Sequence, residues 1–235
     1  RVLIIGAGPA GAVAAALLQQ QGHQVLVLER QQFPRFSIGE SLLPQSMAFL
    51  EQAGMVEAVA AAGFQYKDGA AFRRNGQYTD FDFCDKFSVG PGTTYQVQRA
   101  RFDQVLADEA ARQGVEIRYQ HSIVAADMAR PRPLLTVADN DGRRYQVEAE
   151  FVLDASGFGR VLPRLLELET PSGFPTRQSI FTHIEDGISD PAYDRNKILI
   201  SVHPERPDVW YWLIPFPNGI CSLGVVAEAS FFASL

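Results

Sequence analysis

The sequence has 235 residues, of which 46% are hydrophobic and 11% aromatic, enough to bury a sizeable core in one large domain or two interleaved ones. Its net charge is −6, its pI is about 5.2, and no basic stripe is present. Phosphate-binding surfaces need clustered lysine and arginine, so nucleic acid is excluded as the main partner. The apolar stretch from Val2 to Leu18 contains three glycines and a proline and is shorter than the ~20 residues that a bilayer requires. We therefore expect no membrane span.

The two cysteines, Cys84 and Cys221, lack the spacing of metal ligands. A disulfide scaffold is not expected in so large a chain, and we therefore expect a reducing, cytoplasmic compartment. The histidines also lack metal-ligand spacing, and no nucleophile motif surrounds them. We expect no metal site, and we expect surface or structural roles for the four histidines, His23, His121, His183 and His203.

The chain opens with the apolar run Val2–Ile5, followed by a glycine-rich turn and a second apolar run that ends at Glu29. This order is the layout by which a βαβ unit holds an adenine dinucleotide, although a similar glycine turn occurs in other α/β proteins. Gly6 permits a tight turn, Gly8 lets backbone amides approach a pyrophosphate, and Gly11 lets a helix pack closely on the strand. Glu29 is placed to accept hydrogen bonds from a ribose diol. The predicted dinucleotide contacts are Gly6, Gly8, Pro9, Ala10, Gly11, Glu29 and Arg30.

The next elements are a helix and a hairpin. The periodicity predicts a helix over residues 41–53, with Ser41 as its N-cap and Gly54 as its end. Leu43, Met47 and Leu50 are expected on one apolar stripe of this helix. Residues 67–83 predict two short strands around the Asn75-Gly76 turn, which is typical of a β-hairpin.

The remaining chain alternates between a helical segment and strand-rich segments. Residues 99–113 predict an amphipathic helix, and residues 115–119 predict a strand that completes a second crossover. Residues 122–153 are strand-rich. Several strands between 178 and 228 favour an antiparallel sheet that forms the floor of a substrate region. The predicted fold class is α/β, with a Rossmann-like domain and an interleaved antiparallel sheet.

Two later segments are also expected at the nucleotide site. Residues 154–157 follow an apolar strand, at the sheet edge where open α/β folds bind ligands. Asp154 could orient ribityl or pyrophosphate oxygens, or it could simply form an Asx-turn. Arg99 stands at a helix N-terminus, where a cation is unfavourable unless an anion accompanies it. A solvated Arg99 is the alternative interpretation.

These segments together carry a resemblance. The glycine turn with Glu29, residues 97–99 with 102–103 and Leu106, and residues 154–157 resemble the monooxygenase-type fold of the glutathione-reductase-like FAD superfamily. The resemblance implies FAD as the cofactor. It also implies further FAD contacts from Gln98, Arg99, Asp154 and Gly157.

A narrower resemblance rests on three segments, residues 36–41, 67–72 and 210–215. They are similar to the flavin-contacting loop, the catalytic-lysine region and the aromatic WxWxIP strand of flavin-dependent halogenases. The resemblance implies catalysis by Lys67, flavin contacts from Ile38, Gly39, Glu40 and Ser41, and flavin shielding by Trp210, Trp212, Ile214 and Pro215. Without the family, the aromatic strand indicates only packing on both of its faces, and Lys67 reads as a solvated residue at a strand start.

The halogenase resemblance also implies a reaction and its partners. Reduced FAD, oxygen and halide would give hypohalous acid, which Lys67 would hydrogen-bond or capture as a haloamine and deliver to an electron-rich ring. The ring would belong to an aromatic small molecule or to a substrate bound on a carrier protein. No second glycine-rich fingerprint is present for NAD(P)H, so a separate flavin reductase is expected.

The expected domain ranges follow from these motifs. Residues 1–65 hold the FAD-binding βαβ unit and flavin loop, 66–98 are inserted substrate-region strands, 99–165 return to the FAD-binding domain, and 166–235 form the substrate-domain sheet. The chain has no initiating Met, and we expect it to be truncated at its C-terminus.

Two rival functions stay open. One is a flavin monooxygenase or a geranylgeranyl-reductase-like FAD oxidoreductase that does not halogenate. The other is a non-catalytic FAD-binding protein or fragment.

Overall fold

The computed structural model describes residues 1–233, which divide into two compact units. Unit 1 contains three stretches of chain, Arg1–Ser37, Phe49–Ala62 and Arg99–Pro171. Unit 2 contains Ile38–Ala48, Gly63–Gln98 and the described chain from Ser172 onward. The predicted substrate-domain range 166–235 ends with Ser234 and Leu235, which lie outside the described residues.

The strands within the described residues are short and are numbered here in chain order: β1 (Val2–Ile5), β2 (Val25–Glu29), β3 (Gln65–Lys67), β4 (Gly69–Arg74), β5 (Gln77–Asp82), β6 (Thr94–Gln96), β7 (Glu116–Tyr119), β8 (Ser122–Asp127), β9 (Leu134–Ala138), β10 (Arg144–Glu148), β11 (Phe151–Asp154), β12 (Gln178–Glu185), β13 (Lys197–Val202), β14 (Trp210–Pro215) and β15 (Ile220–Ala227). The α-helices are α1 (Pro9–Gln20), α2 (Gln45–Gln52), α3 (Val56–Ala61), α4 (Arg99–Arg112), α5 (Val161–Leu165) and α6 (Ala229–Phe232). A single 3-10 turn spans Gly157–Gly159.

Unit 1 is built on a parallel sheet with the strand order β11-β1-β2-β7. Strands β1 and β2 are apolar along most of their length and buried throughout, as expected for a parallel sheet covered on both faces. Helices α1 and α4 pack against each other, and a separate antiparallel sheet is formed by β8, β9 and β10. Together with unit 2, this arrangement confirms the predicted α/β fold class.

Unit 2 contains a six-stranded sheet with the order β12-β15-β14-β13-β4-β5. The hairpin of β4 and β5 turns at Asn75 and Gly76, which both have positive φ angles, as a tight hairpin requires. The hairpin joins the sheet through a parallel pairing between β4 and β13, whereas all other pairs in this sheet are antiparallel. The prediction of an antiparallel sheet from the strands between residues 178 and 228 is confirmed, whereas the parallel pairing of β13 with β4 was not predicted.

The helix predicted over residues 41–53 begins later in the structure than expected, so its predicted start is wrong. Helix α2 begins at Gln45, and Ser41 instead forms an isolated β-bridge with Gln96. Pro44 explains the difference, because proline suits the first turn of a helix and restricts the residue before it to extended backbone. Leu43, which was expected on the apolar stripe, is 64% exposed.

Candidate functional site

Unit 1 contains a cavity of about 760 Å³, a size typical of cofactor sites. It lies at the ends of β1 and β2, where an open parallel sheet presents its ligands. Its lining brings together eight of the predicted cofactor contacts, of which seven are Gly6, Gly8, Pro9, Ala10, Glu29, Arg30 and Arg99. Gly157 lines it as well.

The glycine turn leaves room for backbone to approach an anion. Gly6 has a φ of +98°, which only glycine adopts without strain, and a side chain on Gly11 would collide with the Gly6 carbonyl. Gly11 therefore packs helix α1 against the turn and does not line the cavity. Since Gly8 caps α1 without a side chain, the first backbone amides of the helix are available to an anionic group. This donor set fits a pyrophosphate.

Glu29 holds the glycine turn in place. Its buried carboxylate accepts hydrogen bonds from the backbone N–H groups of Ala7 and Gln31, each at 2.9 Å. The sequence predicts that this carboxylate accepts hydrogen bonds from a ribose diol. Each carboxylate oxygen has a second lone pair, so binding the turn and binding a diol are compatible.

Arg99 and Arg35 share one buried carboxylate beside the cavity. Asp103 Oδ1 accepts from Arg99 Nε at 2.7 Å, and its Oδ2 accepts from Arg35 Nη1 at 2.8 Å. Asp103 lies one helical turn after Arg99, which supplies the anion expected for a cation at a helix N-terminus. Two guanidinium groups on one carboxylate leave a net positive charge at the cavity, which suits a phosphate ligand.

Arg35 was missed by the sequence analysis, although it lines the cavity. A Cβ atom on Gly8 would lie 3.5 Å from Arg35 Nη2, so this guanidinium sits directly beside the glycine turn. No local pattern marks Arg35, because its partner Asp103 is 68 residues away in the chain.

Asp154 organises the loop that follows β11. Its Oδ1 accepts from Ser156 N–H at 2.9 Å, and its Oδ2 accepts from Leu162 N–H at 2.7 Å, at the start of α5. The Asx-turn alternative is therefore what the structure shows, extended by a second backbone contact. The cavity is lined by the following residues, Ala155 to Gly157, and not by Asp154 itself.

The other predicted flavin contacts belong to unit 2, and the cavity of unit 1 does not include them. Two of them, Glu40 and Ser41, lie in a segment that runs beside β6, where the Val97 N–H donates to the Glu40 carbonyl at 2.7 Å and the Leu42 N–H donates to the Tyr95 carbonyl at 3.1 Å. The remaining residues in this group are Ile38, Gly39 and Gln98.

Glu40 has a partner that the sequence analysis did not assign. Its carboxylate is fully buried, and its Oε1 lies 2.7 Å from His183 Nε2. The His183 ring also contacts Phe216, with a centroid distance of 5.3 Å. His183 was expected to have a surface or structural role, and this pairing gives it a specific structural one that links segments 143 residues apart.

Lys67 is buried and not solvated, with only 2% of the residue exposed. Its Nζ donates to the Leu42 carbonyl at 2.7 Å and lies 4.9 Å from the centre of the Phe83 ring. In the described part of the chain, no carboxylate pairs with this nitrogen. Burial lowers the pKa of Lys67 from 10.5 to about 8. A larger fraction of this amine is therefore unprotonated near neutral pH than of a solvated lysine.

The aromatic strand β14 is held by a close-packed contact. Trp212 and Ile214 are buried in one apolar cluster with Phe216, and Trp210 packs against this cluster. The Trp212 indole N–H donates to Ser222 Oγ at 3.0 Å, and the ring covers Gly224, where any Cβ atom would collide with it. Pro215, at the end of the strand, is also buried. The expected burial of both faces is only partly met, since Tyr211 and Leu213 are half-exposed.

Residues 1–233 contain no group of three or more His, Cys, Asp or Glu side chains arranged to hold a metal ion. Over the same residues, no helix has both the length and the apolar character needed to cross a membrane.

The family of FAD-binding domains matches residues 1–221, and the chain belongs to this family. Its cofactor is FAD, as the sequence resemblance implied. The glycine turn, the exposed helix amides and the paired arginines of unit 1 fit the pyrophosphate of such a group.

The chain is similar to flavin-dependent halogenases. A tryptophan 2-halogenase of Chondromyces crocatus is 29% identical over 99% of this chain and 44% of its own length. A flavin-dependent halogenase of Armillaria mellea is 33% identical over 96% of this chain and 44% of its own length. The chain thus spans about half the length of the curated relatives it matches. The resemblance drawn from the sequence motifs is confirmed.

A solved structure supplies a second kind of relative. It is described as a flavoprotein/dehydrogenase from Cytophaga hutchinsonii, and it is 48% identical to this chain with a TM-score of 0.94. The match covers 100% of this chain and 57% of that one.

Proposed function

We propose that this chain is the FAD-bearing part of a flavin-dependent halogenase, in which Lys67 transfers an electrophilic halogen to an electron-rich aromatic ring. The observation that carries the proposal is the Lys67 amine, which is buried, lacks a carboxylate partner in the described chain and has its pKa lowered to about 8. The similarity to named halogenases supports the same conclusion.

We propose that unit 1 holds FAD. The Gly6–Gly11 turn and the first amides of α1 would bind the pyrophosphate, Glu29 the ribose, and Arg35 and Arg99 the phosphate charge. FAD, once bound and reduced, supplies two electrons to dioxygen, which is the chemistry that makes halide electrophilic. Asp103 and Asp154 act indirectly, since the first orients both arginines and the second orders the loop around Gly157.

Lys67 can act in either protonation state. As an ammonium it donates a hydrogen bond to hypohalous acid and makes the halogen more electrophilic. As a free amine it replaces the hydroxyl of hypohalous acid, forms a nitrogen–halogen bond and releases water. The ring then takes the halogen from nitrogen and returns its proton to the amine. At pH 7 roughly a tenth of such amines are unprotonated, against fewer than about one in a thousand at the ordinary lysine pKa.

We propose that the strand with Trp210, Trp212, Ile214 and Pro215 shields the flavin from the organic substrate. Two contacts leave the Trp212 ring little freedom, because Ser222 binds its indole N–H and Gly224 lies beneath it. A rigid apolar partition would favour halogenation over direct hydroxylation, since small oxidants pass where an aromatic substrate does not.

The domain roles and partners follow from this assignment. We propose that unit 1 and its flanking residues bind FAD within the ranges 1–65 and 99–165, and that the sheet of unit 2 faces the substrate. Ile38, Gly39, Glu40, Ser41 and Gln98 are proposed as flavin contacts of unit 2. The substrate is an aromatic small molecule or a ring carried on a carrier protein, halide is the co-substrate, and a separate reductase supplies reduced FAD. The free thiols of Cys84 and Cys221 support a cytoplasmic setting.

A second candidate function is an FAD oxidoreductase that does not halogenate. It is favoured by the 48% identical structure, which is described as a flavoprotein/dehydrogenase. The aromatic strand and the buried Lys67 are the features of this chain that argue against it.

A turnover assay tests the proposed function. The protein is given reduced FAD, oxygen and a panel of phenols, pyrroles and indoles, with and without bromide or chloride, and the products are identified by mass spectrometry. We expect products in which halogen replaces hydrogen, and only when halide is present. A hydroxylated or reduced product formed without halide would establish the second candidate, and a colourless preparation would contradict the FAD assignment.

A further inference from the structure

A second buried lysine of unit 2, Lys197, lies at the centre of four carboxylates. Its Nζ is 2.7 Å from Asp194 Oδ2 and 2.8 Å from Asp82 Oδ1. Asp68 and Asp80 each place an oxygen 3.6 Å from the same nitrogen. Burial opposes the charge on Lys197, but the hydrogen bonds that its ammonium donates to Asp194 and Asp82 outweigh this effect and raise the pKa of the lysine. Lys197 is therefore a permanent cation at working pH.

The cluster is joined to Lys67 through Asp68, the next residue in the chain. Asp68 N–H donates to the Asn196 carbonyl at 3.0 Å, directly before Lys197. The Asp68 carbonyl accepts from Phe83 N–H at 2.6 Å. The Asp68 carboxylate has a buried oxygen, Oδ1, that makes no hydrogen bond within the described residues, so the ammonium of Lys197 is the charge that stabilises it.

The cluster also reaches the ring that contacts Lys67. Asp82, bound to Lys197, immediately precedes Phe83, whose ring faces the Lys67 amine. The stem of Lys197 covers Gly69, where a Cβ atom would lie 2.8 Å from Lys197 Cε. Lys197 thus fixes Asp68, the residue after Lys67, and Asp82, the residue before Phe83.

We propose that Lys197 is a positioning residue for Lys67: it holds Asp68, Asp80, Asp82 and Asp194 on its own side and keeps Phe83 against the Lys67 amine. The consequence is that Lys67 stays without a carboxylate partner although these four carboxylates lie in the same unit. The importance of this arrangement for catalysis rests on the proposed function of Lys67.

The charges on neighbouring elements decide what removing Lys197 would do. Without its ammonium, four carboxylates would stand together with no cation between them, and Asp68 is next to Lys67 in the chain. An opposite charge within about 4–6 Å stabilises an ammonium by roughly one to three pKa units. The elements packed around the two lysines also carry other titratable groups. Glu40 pairs with His183 and Arg195 pairs with Asp186, and the others include Tyr66, Arg73, Arg74, Tyr78, Tyr95, Tyr193 and Tyr211.

The lysine content of the chain makes a direct test practical. The sequence contains three lysines, Lys67, Lys86 and Lys197. With ¹³C at the ε-carbon of lysine, NMR spectra of the FAD-loaded full chain give three side-chain signals, which Lys67→Arg and Lys86→Arg variants assign. Lys86 donates to loop carbonyls of Gly90 and Pro91 and serves as the internal control.

We expect the Lys67 signal of the unchanged protein to titrate with a midpoint near pH 8. In Lys197→Met the midpoint should rise by at least about one pH unit, which is tenfold in proton affinity. Lys197→Arg should restore the original midpoint, and adding Asp68→Asn to Lys197→Met should lower it again. The Lys86 midpoint should be the same in all variants.

An unchanged Lys67 midpoint in a folded Lys197→Met protein would overturn the proposal. If that variant does not fold, Lys197→Gln, which still donates hydrogen bonds to Asp82 and Asp194, provides the same comparison. The titration reads the amine itself, so it gives its answer whether or not the protein halogenates a substrate. If the Lys67 midpoint shifts in Lys197→Met but the protein does not halogenate a substrate, only the proposed function is rejected.

Discussion

Lys67 and Lys197 are both buried in unit 2, but the partners of Lys67 are neutral and those of Lys197 are anionic. Lys67 has a carbonyl oxygen and an aromatic ring as partners, whereas Lys197 has four carboxylates. Burial lowers the pKa of the first lysine to about 8, and the carboxylates raise the pKa of the second. Burial without a counter-charge therefore lowers the pKa of one lysine, and the carboxylates around the other raise its pKa.

The largest expected difference between the surroundings of Lys67 and those of Lys197 is in the free energy of unfolding. Lys197→Met should lower the free energy of unfolding at pH 7 by about 3 kcal/mol, because it leaves several carboxylates without their cation. Lys67→Met removes a buried ammonium that has no carboxylate partner, so it should be neutral or stabilising. Urea unfolding of both variants measures the difference. Equal losses of stability would contradict the contrast between the two lysines.

The pH dependence of the free energy of unfolding should be an effect no larger than the loss expected for Lys197→Met. Lys67 loses its proton near pH 8 in the folded state and near 10.5 in the unfolded state, so the unfolded state binds more protons between these values. Stability of the unchanged protein should therefore rise with pH across this window, relative to Lys67→Met, by up to about 3 kcal/mol. The free-energy cost of burying the Lys67 ammonium is fully present below pH 8.

This prediction is checked by urea unfolding of the two proteins at pH values from 7.5 to 10.5. The difference between the two curves removes the contribution of groups other than Lys67. Parallel curves would mean that the Lys67 amine is not perturbed by burial.

A smaller effect is expected from Gly69→Ala, which crowds both the neighbouring strand β5 and the stem of Lys197. The new methyl group would meet the Phe81 carbonyl and Lys197 Cε, and we expect a loss of about 1 to 2 kcal/mol. Gly173→Ala is the matched control, since nothing lies within 4 Å of its Cβ position. Thermal unfolding of both variants tests this, and equal melting temperatures would show that the stem of Lys197 does not pack as described.

The parts of the molecule that were predictable are those encoded locally. The glycine turn of residues 6–11 and the Asn75-Gly76 hairpin depend on backbone conformations that few residues adopt, so the sequence marks them directly. The aromatic strand was recognisable as a motif, although its packing on Ser222 and Gly224 was not.

The parts that were missed depend on residues far apart in the chain. Arg35 meets Asp103, and Glu40 meets His183, through the tertiary fold, and no periodicity reports such pairs. The cluster around Lys197 joins β4, β5 and β13, and it required the parallel pairing of β4 with β13 that the sequence did not indicate. The start of α2 was missed because the effect of Pro44 was not weighed against the apolar stripe.

The most direct test of the account is the fate of the oxidant in Lys67→Met. The variant is supplied with reduced FAD, oxygen, bromide and an aromatic substrate, and bound FAD, hydrogen peroxide and brominated product are measured together. Lys86→Met is the control, because that lysine lies in an exposed loop. The account predicts that Lys67→Met keeps its FAD and releases peroxide while brominated product falls by at least about 100-fold, with Lys86→Met unchanged. Bromination by Lys67→Met at the rate of the unchanged protein would contradict it.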